Sequence, residues 1–380
     1  MNPLTRIGST VAVSAAALAT IAGLAGPAGA STTGGAGHYG ASHAVFVQTD
    51  NTAGNQVVAY HRAGNGTLTL AGTYRTGGLG GQLTGSVVDH LASQDSLTYA
   101  NGQLYAVNAG SNTVSVFAVR GDQLSLRQVI SSGGTFPVSV AVHGHLVYVL
   151  NALNGGSVQG YWSIFGRLVP IPRSNRPLHL DPTATPQFTN TPGQVAFTPS
   201  GSQLIVTTKD NGNDVDVFGV GFAGALSRAP VVNSEPNTLP FAVTFDPAGQ
   251  VILAEAGTNA LASFSLSASG HLTQLEQVGT GQQATCWVAS DGRHLFASNA
   301  GSGTVTSYTD GAAGKLTVLG QASTDPGTVD AAVSPHGGYL YVQTGGNGIV
   351  DEFSVSGGSL TEIGSVTVAN AVGAEGIAAA

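Results

Sequence analysis

The sequence predicts an all-β protein, a seven-bladed β-propeller of four-stranded antiparallel blades with the ring closed by the C-terminal strand. Three observations predict it: one hairpin pattern recurs seven times, the copies are mostly 43–47 residues apart, and a spare strand follows the last copy. The hairpin is clearest from Gln103 to Val119, QLYAVNAGSNTVSVFAV, where two apolar, alternating runs flank the turn residues Ala109-Gly110-Ser111-Asn112. β-Branched and aromatic residues suit the strands, and Gly, Ser and Asn tolerate the turn geometry. The same pattern recurs from Leu146, Gln203, Gln250, His294 and Tyr339, with a frayed first copy from Ala44.

One position sets the register. The first strand of each hairpin ends at Thr49, Asn108, Asn151, Thr208, Glu255, Asn299 and Thr344, with steps of 59, 43, 57, 47, 44 and 45 residues. A period near 40–45 with four strands per unit is the spacing of propeller blades. The two long steps place insertions within Thr76 to Ser96 and within Val169 to Gly193. The second holds six prolines and so is not regular strand throughout.

Each hairpin has flanking strands. A short apolar strand precedes it, as at Gln194 to Thr198, Phe241 to Phe245 and Ala331 to Ser334. An outer strand follows it, as at Gln123 to Ile130, His271 to Val278 and Ser359 to Val368. Inner strands are apolar on both faces, as neighbouring sheets require, whereas outer strands alternate. The first copy lacks an inner strand before Ala44, and Glu375 to Ala379 supplies one. Closure of the ring then leaves no sheet edge exposed between blades.

Composition narrows the function. Of 380 residues only 8% are charged, 55 are Gly, and the net charge is −8 with two lysines, Lys209 and Lys315. Without basic clusters, nucleic acid is excluded as a partner and anionic membrane surfaces are disfavoured. Arg6, the apolar Val11 to Leu24 and Ala28-Gly29-Ala30 match a cleaved signal peptide over residues 1–30. A flexible lead-in over 31–43 and a propeller over 44–380 complete the expected organisation. The mature chain is therefore expected to be secreted, monomeric and without a membrane span. A single cysteine, Cys286, precludes an internal disulfide.

LYAVNAGSNTVSVF at Leu104 to Phe117 is similar to the YVTN-type propeller repeat. From Ala44 onward the chain resembles the bacterial seven-bladed propeller lactonases, which include 6-phosphogluconolactonase-like and carboxymuconate cyclase-like proteins. VHGHLVYVLNA from Val142, RLVPIPRSNRPL from Arg167, ATCWVASDG from Ala284 and the terminal EGIAAA support the resemblance. It implies hydrolysis of a sugar lactone or cycloisomerisation of a dicarboxylate. The His/Arg/Glu set of the cyclases has no residue-by-residue match here.

Propeller geometry points to one mouth of the central channel, where hairpin-strand ends and inner-strand starts meet. The candidates there are Glu255, Asp330 and Glu375 as catalytic carboxylates, one serving as general base toward a lactone-attacking water. Lys209, Asn108, Asn151, Gln194 and Asn299 are the candidate substrate-binding residues. All could instead satisfy turn backbones. No cofactor or metal is expected. Asp210 to Asp216 lacks the Gly and Glu placement of a calcium loop, and His143-Gly144-His145 lacks a third ligand. Two functions follow: an exported lactonase-like hydrolase acting on a small sugar or carboxylated lactone, or a non-catalytic extracellular module binding a protein or glycan.

Overall fold

The computed structural model describes residues 43–380, so the expected signal peptide and nearly all of the lead-in lie outside the described residues. Seven antiparallel sheets form, one per repeat, and we number them as blades 1–7 in chain order. Blade 2 shows the plan: Leu97–Ala100, Gln103–Asn108, Thr113–Arg120 and Gln123–Ser131, innermost to outermost. The remaining inner strands are Pro137–His143, Val195–Phe197, Pro240–Phe245, Thr285–Ser290 and Thr328–Val333 in blades 3–7. Expected strand ends agree with these to a few residues, the usual uncertainty where strands fray.

Blade 1 is composite, as expected. Ala44–Gln48, Gln56–Arg62 and Leu68–Arg75 are joined on the inside by Ile377–Ala379, with Val45 opposite Ala379 and Val47 opposite Ile377. Ala44 and Ala380 exchange two backbone hydrogen bonds of 3.3 and 2.9 Å, and Gln48 N–H donates to Gly376 O at 2.9 Å.

The core lies between blades. Gln103–Asn108 is buried at all but its first residue, whereas Gln123–Ser131 is largely exposed. Buried tyrosines tie several blades to a neighbour, because a buried phenol needs an acceptor. Tyr161 donates to Ser131 O at 2.6 Å and Tyr341 to Gly66 O at 2.7 Å, linking blades 3 and 2 and blades 7 and 1. A bulge recurs where the third strand carries its buried aromatic: Tyr60, Phe117, Phe264, Tyr308 and Phe353. One unpaired residue there sharpens the twist and bends the outer strand around the ring.

The first insertion governs the site. After the outer strand of blade 1, residues 76–96 turn inward and cross the channel mouth. His90 N–H donates to Gly373 O at 2.7 Å, Gln94 N–H to Gly193 O at 3.2 Å, and Val140 N–H to Asp95 O at 2.9 Å. Gly345 permits this passage, since a Cβ there would lie 1.6 Å from Val88 O. In the second insertion Arg167–Pro170 is strand, Arg176–Pro177 pairs for two residues, and the rest is irregular.

Deleting residues 377–380 reopens blade 1 and removes the buried side chain of Ile377. Losing several backbone hydrogen bonds and one buried aliphatic side chain is expected to cost about 4–6 kcal/mol, lowering Tm by about 10 °C. Circular-dichroism melts of the two chains check this, and an unchanged Tm would contradict closure by this strand.

Candidate functional site

The crossing segment divides the channel into two rooms. At the hairpin mouth lies an apolar cleft of about 440 Å³, walled by residues 85–89, Ala92, Phe188, Phe241 and Trp287. On the other side is a polar cavity of about 470 Å³ bounded by the inner strands of blades 3–7, with Gln94, Asp95 and Gln194 among its walls. Its polarity follows from topology. The innermost strand of a blade has one free edge, whose N–H and C=O groups face the axis.

Side chains of the crossing segment satisfy part of those edges. Gln94 accepts from Val288 N–H at 3.0 Å and donates to Val288 O at 3.1 Å. Gln194 makes a parallel bridge from its own inner strand, accepting from Val243 N–H at 2.5 Å and donating to Asp95 Oδ2 at 2.7 Å. Trp287 Nε1 donates to Ser93 O at 2.6 Å, and Ser93 Oγ donates to Val138 O at 2.8 Å.

Among the expected catalytic carboxylates, Asp330 and Glu375 come together and Glu255 does not join them. The Glu375 carboxyl is hydrogen-bonded to Asp330 and accepts from Ser93 Oγ at 3.0 Å. Burial first, and then repulsion by neighbouring carboxylates, raises both pKa values well above the ordinary range. Two carboxyl groups this close share a proton rather than both ionising. Glu255 is buried in blade 5, where Oε2 accepts from Thr258 Oγ1 at 2.8 Å and from Gln277 Nε2. Burial raises its pKa as well, and its Oε1 has no partner among the described residues.

Lys209 is fully buried, and its three N–H donors are engaged: Ala92 O and Phe188 O at 2.7 Å, Thr191 Oγ1 at 3.2 Å. Its ammonium thus ties the first insertion to the second, 5.2 Å from the Phe241 ring. Burial lowers its pKa to about 7 against the attraction of Asp89. The three candidate asparagines brace the blades. Asn108 donates to Thr113 Oγ1 and Ser115 Oγ, Asn299 to Thr304 and Thr306, and Asn151 to Ser132 O. Gln194 alone among the five binding candidates lines the polar cavity.

Three carboxylates escaped the sequence reading: Asp50, Asp89 and Asp95. Asp50 accepts from Gln48 Nε2 at 2.6 Å and from Glu375 N–H at 2.8 Å, and burial raises its pKa to about 8. Asp89 accepts from the N–H groups of Leu91, Ala92 and Ser93, and burial raises it to about 6. Asp95 is half-buried with a positive φ of 65°, and burial raises it to about 6 against the Gln194 hydrogen bond. Its Oδ1 has no hydrogen-bond partner among the described residues. The one available signal was scarcity: in a chain with 8% charged residues, an insertion carrying Asp89 and Asp95 is conspicuous.

Residues 253–376 match the family model of lactonases with a seven-bladed β-propeller. Those residues are therefore similar to that family. The resemblance read from the repeats agrees with this match over residues 253–376. A putative 6-phosphogluconolactonase of Bacteroides uniformis superposes with a TM-score of 0.68 at 19% identity, covering 86% of this chain and 96% of that one. A protein from Lactobacillus plantarum gives 0.69 at 22%, covering 88% and 98%. The periplasmic gluconolactonase of Pseudomonas aeruginosa gives 0.67 at 18%, covering 86% and 96%. At these identities the likeness establishes the fold. No curated protein matches the chain.

The buried acids set the pH dependence of this propeller. A carboxyl whose folded pKa exceeds its ordinary 3.8 holds its proton in the folded state after the unfolded chain has lost it, so stability falls as pH rises from about 4 to 8. Lys209 acts oppositely: its folded value near 7 lies below the ordinary 10.5, so its contribution rises between those values. The propeller is therefore expected to melt higher at pH 5 than at pH 8. Asp50→Asn should shrink that difference by about 3–4 kcal/mol, because Asn keeps an acceptor for Glu375 N–H and can donate to the unpartnered Gln48 Oε1. Thermal melts of both proteins across this range check the sign. A parallel pH profile in the variant would exclude Asp50 as its source.

Proposed function

We propose that this protein is an exported hydrolase that opens a small, neutral, hydroxylated lactone in the polar channel cavity. The observation that carries the reading is Asp95, with a pKa near 6 and an unengaged Oδ1 at the wall of a cavity large enough for a sugar. A base with that pKa is mostly ionised at neutral pH yet basic enough to take a proton from water.

In this reading Asp95 accepts a proton from water as the water oxygen attacks the lactone carbonyl carbon. The tetrahedral intermediate collapses with cleavage of the ring C–O bond. The departing alkoxide recovers the proton from Asp95, giving the open-chain hydroxy acid. Gln194 orients the carboxylate through its 2.7 Å hydrogen bond. The Asp330–Glu375 pair lies close enough to feel the charge of Asp95, and burial is what makes Asp95 a stronger base.

Electrostatics favours an uncharged substrate. Asp95, Asp330 and Glu375 make this part of the channel acidic, and the donors of Lys209 are engaged elsewhere. Neither a phosphorylated nor a carboxylated lactone finds a lysine or arginine among the described residues lining that cavity. Export, expected from residues 1–30, is consistent with such a substrate, and the Pseudomonas relative is described as periplasmic.

The test is pH-stat hydrolysis of glucono-1,5-lactone and its 6-phosphate, corrected for the buffer blank. Turnover of the neutral lactone is expected to rise with an apparent pKa near 6. Asp95→Asn should lower it about 10²–10⁴-fold, whereas Glu255→Gln should leave it within about twofold. The 6-phosphate should react more slowly. No turnover above the blank on either lactone would overturn the reading. Loss in Glu255→Gln without loss in Asp95→Asn would move the base to blade 5.

A further inference from the structure

The apolar cleft at the hairpin mouth takes no part in the hydrolysis proposed above. We infer that it is a second binding site, for a neutral and largely apolar small molecule of one or two rings. Its volume of about 440 Å³ lies within the range of small-molecule sites.

The lining sets the ligand class. Phe241 and Trp287 meet with ring centroids 4.9 Å apart at 59°, forming an angled aromatic wall. Phe188 faces the cleft from the second insertion, and the small side chains of Ala256, Ala284 and Ala300 leave the room open. A flat apolar ligand gains both area burial and ring contacts there.

No charge is on offer to an ionic ligand. Both oxygens of Asp89 are held by the N–H groups of residues 91–93. Lys209 lies beneath Phe241 with its donors engaged. Burial pushes the Cys286 thiol up to about 12, so it enters as a small apolar group. An anion would face Asp89 without a free cation to compensate. A cation would lose its hydration for one carboxylate already engaged by three donors.

The site is also built to hold its shape. Lys209 joins Ala92 O and Phe188 O, one from each insertion, and both residues line the cleft. Trp287 is fixed through Nε1 to Ser93 O. A pre-formed apolar room costs a ligand little ordering on entry.

N-Phenyl-1-naphthylamine, an uncharged two-ring fluorophore excited by tryptophan emission, tests this directly. Trp162→Phe leaves Trp287 as the sole donor, since the chain has two tryptophans. Titration of the full chain is expected to give saturable, one-to-one sensitised emission with matching quenching of Trp287. Ala256→Phe and Ala300→Phe, each filling the cleft from a surface turn, should weaken binding at least tenfold. The anionic 8-anilinonaphthalene-1-sulfonate should bind at least tenfold more weakly than the neutral probe. Absence of saturable emission from the folded protein would overturn the proposal, as would equal affinity for the anion. Unchanged affinity in both filled variants, each with an unaltered circular-dichroism spectrum, would place the probe elsewhere and also overturn it.

Discussion

The constraint on which this structure depends is the free edge of each innermost strand. A ring of blades removes the edges between neighbours but turns seven rows of peptide groups toward one axis. Water can satisfy such groups in a wide channel. Here a segment of the chain does so along part of the axis: Gln94 pairs with both peptide groups of Val288, and Asp95 O accepts from Val140 N–H. The division of the channel, the seating of Trp287 and the burial of the axial acids all follow from that passage.

The acids show what the passage costs. Asp50, Asp89, Asp330 and Glu375 are all buried near the axis, with Lys209 as the lone buried amine. Desolvation disfavours every one of those charges, and one ammonium cannot offset four carboxylates. Protons and N–H donors make the arrangement tolerable. Asp89 is held by three backbone N–H groups, whereas Asp330 and Glu375 meet carboxyl to carboxyl. A purely structural plug has no need of acids here. Retaining several of them at the axis is a local conflict of the kind expected at functional sites.

Fold was legible because it repeats. Hairpin turns, alternating outer strands and the register residues from Thr49 to Thr344 each report a local preference, and seven copies average out the exceptions. Even ring closure was readable, since EGIAA is strand-like and the first copy lacks a partner. The site was less legible because it is made of departures from the repeat. The hairpin-end position that sets the register also points to the site, yet Asn108, Asn151 and Asn299 spend their amides bracing strands. Conversely, Asp95 belongs to an insertion without periodicity, and nothing local reveals that residues 76–96 turn inward. Asp330 and Glu375, taken from inner-strand starts, do meet at the axis, because that geometry depends only on the blade plan.

The same segment gives the two rooms their different chemistries within a few residues. Asp89 turns its carboxylate back on its own following N–H groups, which consumes its charge locally and leaves the cleft beside it to aromatic rings. Asp95 takes a left-handed backbone conformation and has a single donor from Gln194, so one of its oxygens stays available to the polar cavity. Between them Ser93 is fixed by its hydroxyl to Val138 O and Glu375, and by its carbonyl to Trp287. The wall is therefore thin and held from three blades. Such a wall can separate an apolar ligand from an acidic, wet chamber without either room having to exclude the other's occupant by size.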